Sequence, residues 1–394
     1  NVGYGRKRIA DAVAAQLTKL CFYGGMAGNI PTSIFSEMLL DKMPGLDRVY
    51  YASSGSEANE KAFKMVRQIS HNFHGGKKNK ILYRERDYHG TTIATLSAGG
   101  QEERSGQYGP YTPGFVSVPH CLEYRSQDGS TGEAYRDACL KAMEDVILHE
   151  GADTIGAICL EPITAGGGLI IAPDGYWEGV QALCNKYEIL LHIDEVVCGL
   201  GRTGTWFGYQ HYNIQPDFVT MAKGVASGYA AISCCVTTNA VFDKFTDDSS
   251  HMNYFRDIST FGGCTSGPAA AIENMNILME EDLLGNSVRM GEHLKNNLNG
   301  LMDQHACIGQ VRGIGLFAGA ELVLDRKTKE PMPEKMVGQI VADCAAQGII
   351  IGSTNRSVPG FNNTLLFAPP LIASKDDLNQ ITEAVGKAIT KVVG

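Results

Sequence analysis

Short apolar segments that alternate with amphipathic segments most constrain the fold of this chain. Residues 57–69 and 176–187 have the spacing of helices that bury one face. Apolar runs predict strands at residues 46–52, 80–83, 155–160, 189–193 and 218–221. Because apolar strands separated by helices form parallel sheets covered on both faces, the pattern predicts an α/β fold with a mainly parallel sheet.

The pattern changes after about residue 270, where helical spacing dominates. Helices are predicted at residues 283–302 and 334–347, and a last one from Lys375, with Ser374 and Asp377 in capping-box spacing. A chain of 394 residues also exceeds what one hydrophobic core usually serves. We therefore expect three parts: a partial N-terminal segment (1–30), a large domain (31–270) and a smaller C-terminal α+β domain (271–394).

Charge and cysteine usage narrow the class of protein. The net charge is −9 and no block of Lys and Arg occurs, which argues against nucleic acid or an anionic membrane as the main partner. The 11 cysteines form no C-x-x-C pair and predict reduced thiols in a cytoplasmic protein. No metal site, signal peptide or membrane-spanning run is expected. The opening residues resemble the middle of a domain, so we expect further chain before Asn1.

Candidate site residues follow the predicted strands, where open α/β sheets bind their ligands. Ser54-Gly55-Ser56 opens the helix after the first strand, and small residues at a helix N-terminus suit an anion. A plain serine cap explains this motif equally well. Tyr88-His89 follows the second strand, where an aromatic ring can stack on a flat ligand. In isolation, a surface tyrosine is the simpler interpretation.

Three charged residues follow the next strands. Glu161 and Asp194 end apolar strands, where a buried carboxylate is costly unless it meets a cation. Lys223 follows residues 218–221, and we expect a partly desolvated amine with a lowered pKa, which forms imines readily. A structural Asp194–Lys223 ion pair is the alternative.

Residues 199–204 match the dinucleotide fingerprint G-x-G-x-x-G. Their context does not fit it, because the preceding strand ends five residues earlier and no convincing helix start follows. A nucleotide-binding module is therefore a minor alternative.

The strand-end residues together fit pyridoxal 5'-phosphate (PLP) better than any other cofactor. PLP requires an imine-forming lysine, a carboxylate at its ring nitrogen, an anion cradle for its phosphate and a stacking aromatic ring. The sequence offers one candidate for each of these four groups.

Several motifs resemble those of the class III (omega) aminotransferases. They are residues 190–204 (LLHIDEVVCGLGRTG), 222–224 (AKG), 54–58 (SGSEA), 88–92 (YHGTT) and 368–371 (APPL). The resemblance extends over essentially the whole chain. It implies fold type I of the PLP enzymes, the aspartate-aminotransferase-like fold, and a homodimer with active sites at the subunit interface.

The resemblance also implies site roles. Lys223 would be the Schiff-base lysine, Asp194 the partner of the ring nitrogen, and Tyr88 the stacking ring. The other implied cofactor contacts are Ser54, Gly55 and Ser56 at the phosphate, His89 beside Tyr88, Glu161 near the ring, Val196 on the second ring face, and Thr260 at the phosphate of the partner subunit.

Within the class, residues 256–267 (RDISTFGGCTSG) look most like the subgroup that uses taurine and pyruvate. This segment departs from the Gly-His-Pro that is common in the family. Arg356 is expected to bind the acid group of the substrate, because a planar guanidinium suits two oxygens at once. A surface-loop arginine is the alternative for Arg356. Phe22, Tyr23 and Met26 are expected to wall the substrate pocket, although core packing would explain these three residues nearly as well.

The expected activity is transfer of the amino group of taurine, or a similar ω-amino acid, to pyruvate, giving sulfoacetaldehyde and alanine through the Lys223 Schiff base. A β-alanine– or other ω-amino-acid–pyruvate aminotransferase is the nearest alternative. A PLP-dependent decarboxylase or aminomutase of the same fold comes next. The preferred amine, the choice between dimer and tetramer, and the role of Arg356 stay open at this stage.

Overall fold

The fold was analysed in a computed structural model that describes residues 1–24, 28–246, 252–354 and 361–394. Met26 and Arg356 therefore lie outside the described residues. The strands are β1 (Arg48–Ala52), β2 (Lys80–Arg84), β3 (Phe115–Val118), β4 (Ile155–Leu160), β5 (Ile163–Thr164), β6 (Ile170–Ile171), β7 (Leu190–Asp194), β8 (Phe218–Met221), β9 (Ser233–Thr237), β10 (Ile308–Gly313), β11 (Ala318–Asp325), β12 (Glu330–Pro331), β13 (Gly352–Ser353) and β14 (Thr364–Phe367).

The helices carry labels in the same chain order. They are α1 (Lys7–Lys19), α2 (Ile30–Leu40), α3 (Gly55–Phe73), α4 (Ile93–Ser97), α5 (Glu102–Ser105), α6 (Gly132–Glu150), α7 (Tyr176–Tyr187), α8 (Asn239–Phe242), α9 (Ser266–Glu280), α10 (Leu283–Gln304), α11 (Glu334–Ala346) and α12 (Lys375–Val393). In the described part of the chain, no helix is both long and apolar enough to cross a bilayer.

A seven-stranded sheet in the order β1-β9-β8-β7-β4-β2-β3 forms the centre of the fold. Neighbouring strands from β8 through β7, β4 and β2 to β3 are parallel. Strand β9 runs antiparallel to both β8 and β1. The predicted mainly parallel α/β sheet is confirmed.

Helices cover this sheet on both faces, which explains its apolar strands. Every residue of β4 is buried, as is every residue of β8. Helix α3 packs on β4, β7, β8 and β9, whereas α7 packs on β7 and on α6, which in turn contacts β3. Strands buried on both faces read as continuous apolar runs, so these strands were visible in the sequence.

Two strands of the sheet were missed by the sequence pattern. Strand β3 lies at an edge and carries exposed Ser117, which weakens its apolar signal. Strand β9 reads SCCVT, and its small polar and thiol side chains are all buried. Burial of β9 depends on its neighbours β1 and β8, which no local pattern reveals.

The C-terminal part builds a second sheet in the order β10-β11-β14-β13, with β12 paired to β11. Helices α10 and α11 pack on this sheet, and α12 packs on both helices. The predicted capping box is present, because the Asp377 N–H donates to Ser374 Oγ at 3.2 Å and the Asp377 carboxylate accepts the Ser374 N–H at 2.8 Å.

The glycine-rich run at 199–204 is a turn and opens no helix, as expected. Gly201 and Gly204 have φ of 91° and 92°, where a side chain is strained. A Cβ at Gly201 would lie 2.9 Å from Leu371 and 3.1 Å from Leu284 of α10. This run therefore packs the central sheet against the C-terminal part.

Candidate active site

A cavity of about 330 Å³ opens at the carboxyl ends of β1, β2, β4, β7 and β8. It is lined by Ser53, Ser54, Gly55, Ser56, Tyr88, His89, Gly90, Glu161, Asp194, Val196, Val197, Ala222, Lys223, Gly228, Ala230, Ala231 and Ile232. The structure thus brings together nine of the residues expected from the sequence. Lys223 and Asp194 line the same cavity, as the hypothesis required.

The N-terminus of α3 forms one wall of this cavity. Ser54 caps the helix, and the Glu57 carboxylate accepts the N–H groups of Ser53 and Ser54 at 2.7 and 3.1 Å. The N–H groups of the first helical residues, Gly55 and Ser56, have no acceptor within a helix. Together with the positive end of the helix dipole, they make this wall suitable for an anion.

Two glycines allow the close approach of chain segments around this wall. A Cβ at Gly55 would lie 2.9 Å from Val196 Cγ2, so any larger residue there would have to displace that side chain. Gly90 has φ of 145°, and a Cβ there would lie 2.9 Å from Ser56 Cα. The Thr91 N–H donates to Ser56 Oγ at 3.0 Å, so the Tyr88 segment is tied to the helix N-terminus.

Asp194 ends β7 with a buried carboxylate that accepts three hydrogen bonds. Its Oδ2 accepts from Asn59 Nδ2 at 2.8 Å and lies 2.8 Å from His89 Nδ1, and its Oδ1 accepts the Val196 N–H at 3.0 Å. Burial raises the pKa of Asp194, but the hydrogen bond and charge of His89 and the hydrogen bonds from Val196 and Asn59 together outweigh burial, so the net pKa lies below the usual value. Asp194 is therefore an ionised and almost fully buried carboxylate in the cavity lining.

The cation expected opposite Asp194 is present, and it is His89. Burial alone lowers the pKa of His89, whereas Cys159 and Asp194 raise it, so the net pKa lies well above 6.5. We attribute the net direction to Asp194, because burial raises the pKa of the Cys159 thiol to about 11 and keeps it uncharged at neutral pH.

The Glu161 carboxylate holds two backbone segments, one at Tyr88 and one at Ala165. Its Oε1 accepts the Tyr88 N–H at 2.9 Å and its Oε2 accepts the Ala165 N–H at 3.1 Å. Burial first, and then the nearby Asp87 and Asp194, raise the pKa of Glu161 to about 8. Glu161 therefore holds the segment that carries the Tyr88 ring.

Lys223 lies at the cavity, but its environment differs from the expected one. Its side chain is exposed, so the expectation of a partly desolvated amine is wrong for the isolated chain. The alternative Asp194–Lys223 ion pair is also absent in the described part of the chain, where Asp194 pairs with His89. Lys223 has φ of 34°, an unusual backbone conformation of the kind that clusters at functional sites.

Of the residues expected at the substrate pocket and the subunit interface, the three that the structure describes, Phe22, Tyr23 and Thr260, are not among the residues that line this cavity. Phe22 forms a β-bridge with Cys264, and the Tyr23 N–H donates to the Gly263 oxygen at 3.0 Å. Both rings are exposed, as is Thr260 in the same region. The structure therefore gathers Phe22, Tyr23 and the Thr260 segment at one surface outside the cavity lining.

Two contacts of the site were missed by the sequence reasoning. Asn59 is buried in α3 and donates to Asp194; a polar residue on the buried face of a helix was the available signal. The Arg104 guanidinium lies over the Tyr88 ring at 4.4 Å from its centre. No local pattern marks Arg104, because α5, its four-residue helix, is brought to Tyr88 only by the fold.

Comparisons with known proteins agree with this geometry. The profile of the family described as "Aminotransferase class-III" matches residues 1–389. A hypotaurine/taurine–pyruvate aminotransferase of Paracoccus denitrificans is 65% identical over 393 residues, which cover 100% of this chain and 85% of the relative. A taurine–pyruvate aminotransferase of Rhodobacter capsulatus is 63% identical with the same coverage.

A solved structure described as a Bacillus anthracis aminotransferase superimposes with a TM-score of 0.96 at 36% identity. The match covers 99% of this chain and 87% of that chain.

Proposed function

The chain belongs to the class III aminotransferases, which are PLP-dependent transaminases, and we propose that it moves the amino group of taurine to pyruvate. The products would be sulfoacetaldehyde and alanine. The observation that carries this proposal is the identity of 65% and 63% to two relatives named for taurine and pyruvate, over the full length of this chain. A β-alanine or other ω-amino-acid donor is the alternative within the same chemistry.

The residues that line the cavity fit the chemical demands of PLP. The N-terminus of α3 suits its phosphate, the ionised Asp194 suits its ring nitrogen, and the exposed Lys223 amine suits its aldehyde. When bound, PLP supplies an aldehyde carbon for amines and a ring that withdraws electrons from the carbon beside the nitrogen. We propose that Ser54, Gly55 and Ser56 hold the phosphate and that Tyr88 and Val196 contact the two faces of the ring.

Each chemical role falls to one residue of this chain. Asp194 would hold a proton on the ring nitrogen, since its carboxylate stays ionised despite burial. Lys223 Nζ would take a proton from the amine-bearing carbon of the donor and, in the second half of the reaction, would give a proton to the acceptor carbon that receives the amino group. Because the Lys223 side chain is exposed at the cavity, its amine has room to make both movements.

The anion of the substrate needs a cationic partner other than Lys223, which is assigned to the cofactor, and His89, which pairs with Asp194. Taurine carries a sulfonate and pyruvate a carboxylate, yet among the described residues no arginine lines this cavity. A second cavity of about 640 Å³ shares Tyr88 as a wall and contains Arg104. Arg104 donates from Nε to the uncharged Gln101 Oε1 at 2.9 Å and forms no salt bridge within the described part of the chain, although Glu103 lines the same cavity. We propose that Arg104 binds the substrate anion, beside the earlier candidate Arg356.

A donor–acceptor panel on the cofactor-loaded enzyme tests the proposed function. Taurine, hypotaurine and β-alanine would be compared as donors to pyruvate, with alanine and the aldehyde quantified as products. Taurine or hypotaurine should give the highest kcat/KM. Preference for β-alanine would favour the alternative donor, and release of carbon dioxide without use of pyruvate would point to a decarboxylase.

Arg104→Ala tests the substrate anion site, with Arg289→Ala as the matched control because Arg289 is exposed and pairs only with Asp282 in the described part. A lost charge-assisted hydrogen bond is worth about 1.5–3 kcal/mol, so kcat/KM for taurine and pyruvate should fall by about 10- to 100-fold. An amine donor without an acid group, such as benzylamine, should lose far less in its own half-reaction. Equal losses for both donors would contradict a role at the anion.

A homodimer, possibly paired further into a tetramer, belongs to the same proposal. It is supported by exposed apolar side chains at one surface, among them Phe22, Tyr23, Ile258 and Phe261. An interface there would cover these rings and bring Thr260 towards the phosphate of the partner subunit. Sedimentation of the purified enzyme would distinguish monomer, dimer and tetramer. A cytoplasmic location is proposed from the cysteines, all eleven of which are described and unpaired.

A further inference from the structure

A chain of hydrogen bonds leads to Asp194 from three side chains outside the cavity lining. His192 Nε2 lies 2.9 Å from Thr220 Oγ1, and Thr220 Oγ1 lies 2.6 Å from Asn59 Oδ1. Asn59 Nδ2 then donates to Asp194 Oδ2 at 2.8 Å and to the His89 oxygen at 2.7 Å. All three side chains are at most 1% exposed, and none is among the described residues that line the Lys223 cavity.

Only one arrangement of protons satisfies this chain. The Asn59 nitrogen faces two oxygens and must donate, so its Oδ1 must accept the Thr220 hydroxyl proton. Thr220 Oγ1 then accepts the proton on His192 Nε2. Burial lowers the pKa of His192 to about 3, so the ring is neutral and carries a single proton, on Nε2. Its Nδ1 has no hydrogen-bond partner in the described ranges, as this tautomer allows.

We infer that His192, Thr220 and Asn59 form a one-way donor relay that positions Asp194 and keeps it ionised for the cofactor ring nitrogen. This inference rests on the proposed role of Asp194. Each donor points towards Asp194, so the relay orients the Asn59 amide and prevents its oxygen from facing the carboxylate. The three residues touch neither cofactor nor substrate and are positioning residues.

The threonine hydroxyl is the part of the relay that can be removed with the least change of shape. Thr220→Val replaces only the hydroxyl with a methyl group, which leaves Asn59 Oδ1 without its donor and His192 Nε2 without its acceptor. The Asn59 amide then loses its fixed orientation. Asp194 should hold a proton on the ring nitrogen less firmly, and PLP should bind less tightly.

The test measures the bound cofactor itself. Wild type, Thr220→Val and Thr220→Ser would be titrated with pH while the visible absorbance is recorded, and the PLP dissociation constant measured. Thr220→Val should move the midpoint of the absorbance titration and weaken PLP binding by about three- to tenfold, somewhat less than the loss of a direct charge-assisted bond. Thr220→Ser, which keeps the hydroxyl, should match wild type.

Thr237→Val is the matched control. Thr237 lies in the neighbouring strand β9, is as buried as Thr220, and donates its hydroxyl to the backbone oxygen of Asp217 at 2.8 Å. Thr237→Val should leave the midpoint unchanged. A Thr220→Val enzyme that titrates and binds PLP like wild type would overturn the relay.

Asp194→Ala separates this inference from the proposed function. If Asp194→Ala changes the titration and Thr220→Val does not, the relay alone fails. If Asp194→Ala changes nothing, the assignment of Asp194 fails and the relay with it. The choice of amine donor affects neither measurement, since no donor is present.

Discussion

Gly90→Ala should weaken PLP binding, although Gly90 is not itself one of the residues proposed to contact the cofactor. Gly90 has φ of 145°, and a Cβ there would lie 2.9 Å from Ser56 Cα and closer still to the hydroxyls of Ser56 and Thr95. The backbone strain alone costs about 1–3 kcal/mol of stability. Relief of the overlap requires Ser56 to move away from the Tyr88 segment, because Ser56 Oγ also accepts the Thr91 N–H.

The expected loss of affinity follows from the number of contacts disturbed. Ser56 is one of the residues proposed to hold the phosphate, and one hydrogen bond to a charged group contributes about 1.5–3 kcal/mol. Misplacing a single such bond should raise the PLP dissociation constant by about 10- to 100-fold. The assay is equilibrium binding of PLP to apoenzyme, followed by quenching of tryptophan fluorescence.

Gly338→Ala is the matched control for this substitution. Gly338 lies in α11, and a Cβ there would have no neighbour within 4 Å. Alanine should stabilise the helix by about 0.5–1 kcal/mol and leave PLP binding unchanged. A Gly90→Ala enzyme with wild-type affinity for PLP would refute the reasoning, because Ser56 would then be shown either to tolerate displacement or to lie away from the phosphate.

Three further predictions concern buried charge and the proposed lysine. Glu321→Gln should destabilise the enzyme by about 3–5 kcal/mol in chemical denaturation, since the buried carboxylate pairs with Arg125 and Arg312 at 2.6 Å each, whereas exposed Glu330→Gln should have little effect. Burial raises the pKa of Glu321, but its two arginine partners lower it by more, so the net folded-state pKa lies below 4.5. The contribution of Glu321 to stability is therefore complete above pH 4.5 and is lost as the pH falls through the folded-state pKa. Melting temperatures measured between pH 7 and pH 3 should accordingly fall less steeply in Glu321→Gln than in wild type. Lys223→Ala should abolish transamination and the visible absorbance of the lysine-bound cofactor, and a variant with full turnover would remove Lys223 from its role.

The strands at the centre of the sheet were predictable because they are buried on both faces. Residues 155–160 and 218–221 were predicted with the observed bounds of β4 and β8, and residues 176–187 with those of α7. Strands β3 and β9 were missed, because an edge strand and a strand of small polar residues lack an apolar run. The boundary at residue 270 stays a prediction.

The cavity residues were predictable because each follows a strand of one sheet. A parallel sheet brings the carboxyl ends of its strands to one edge. The proximity of Glu161, Asp194 and Lys223 could therefore be predicted without knowing the conformation of the loops. Partners were harder to predict: His89 was named as a cofactor contact, but its pairing with Asp194 joins segments 105 residues apart. The prediction that Lys223 is partly desolvated was wrong, because the exposure of a side chain at a strand end depends on the turn that follows the strand.

The bridge between Phe22 and Cys264 has a genetic consequence if the proposed dimer forms. The bridge joins the segment expected to wall the substrate pocket to the segment expected to contact the phosphate of the partner subunit. A substitution in either segment would therefore affect the active sites of both subunits. Co-expression of a Lys223→Ala subunit with a Thr260→Ala subunit would then give mixed dimers in which one of the two active sites has both residues intact. Activity of the mixed dimers, with each variant inactive alone, would show that the two subunits share their active sites.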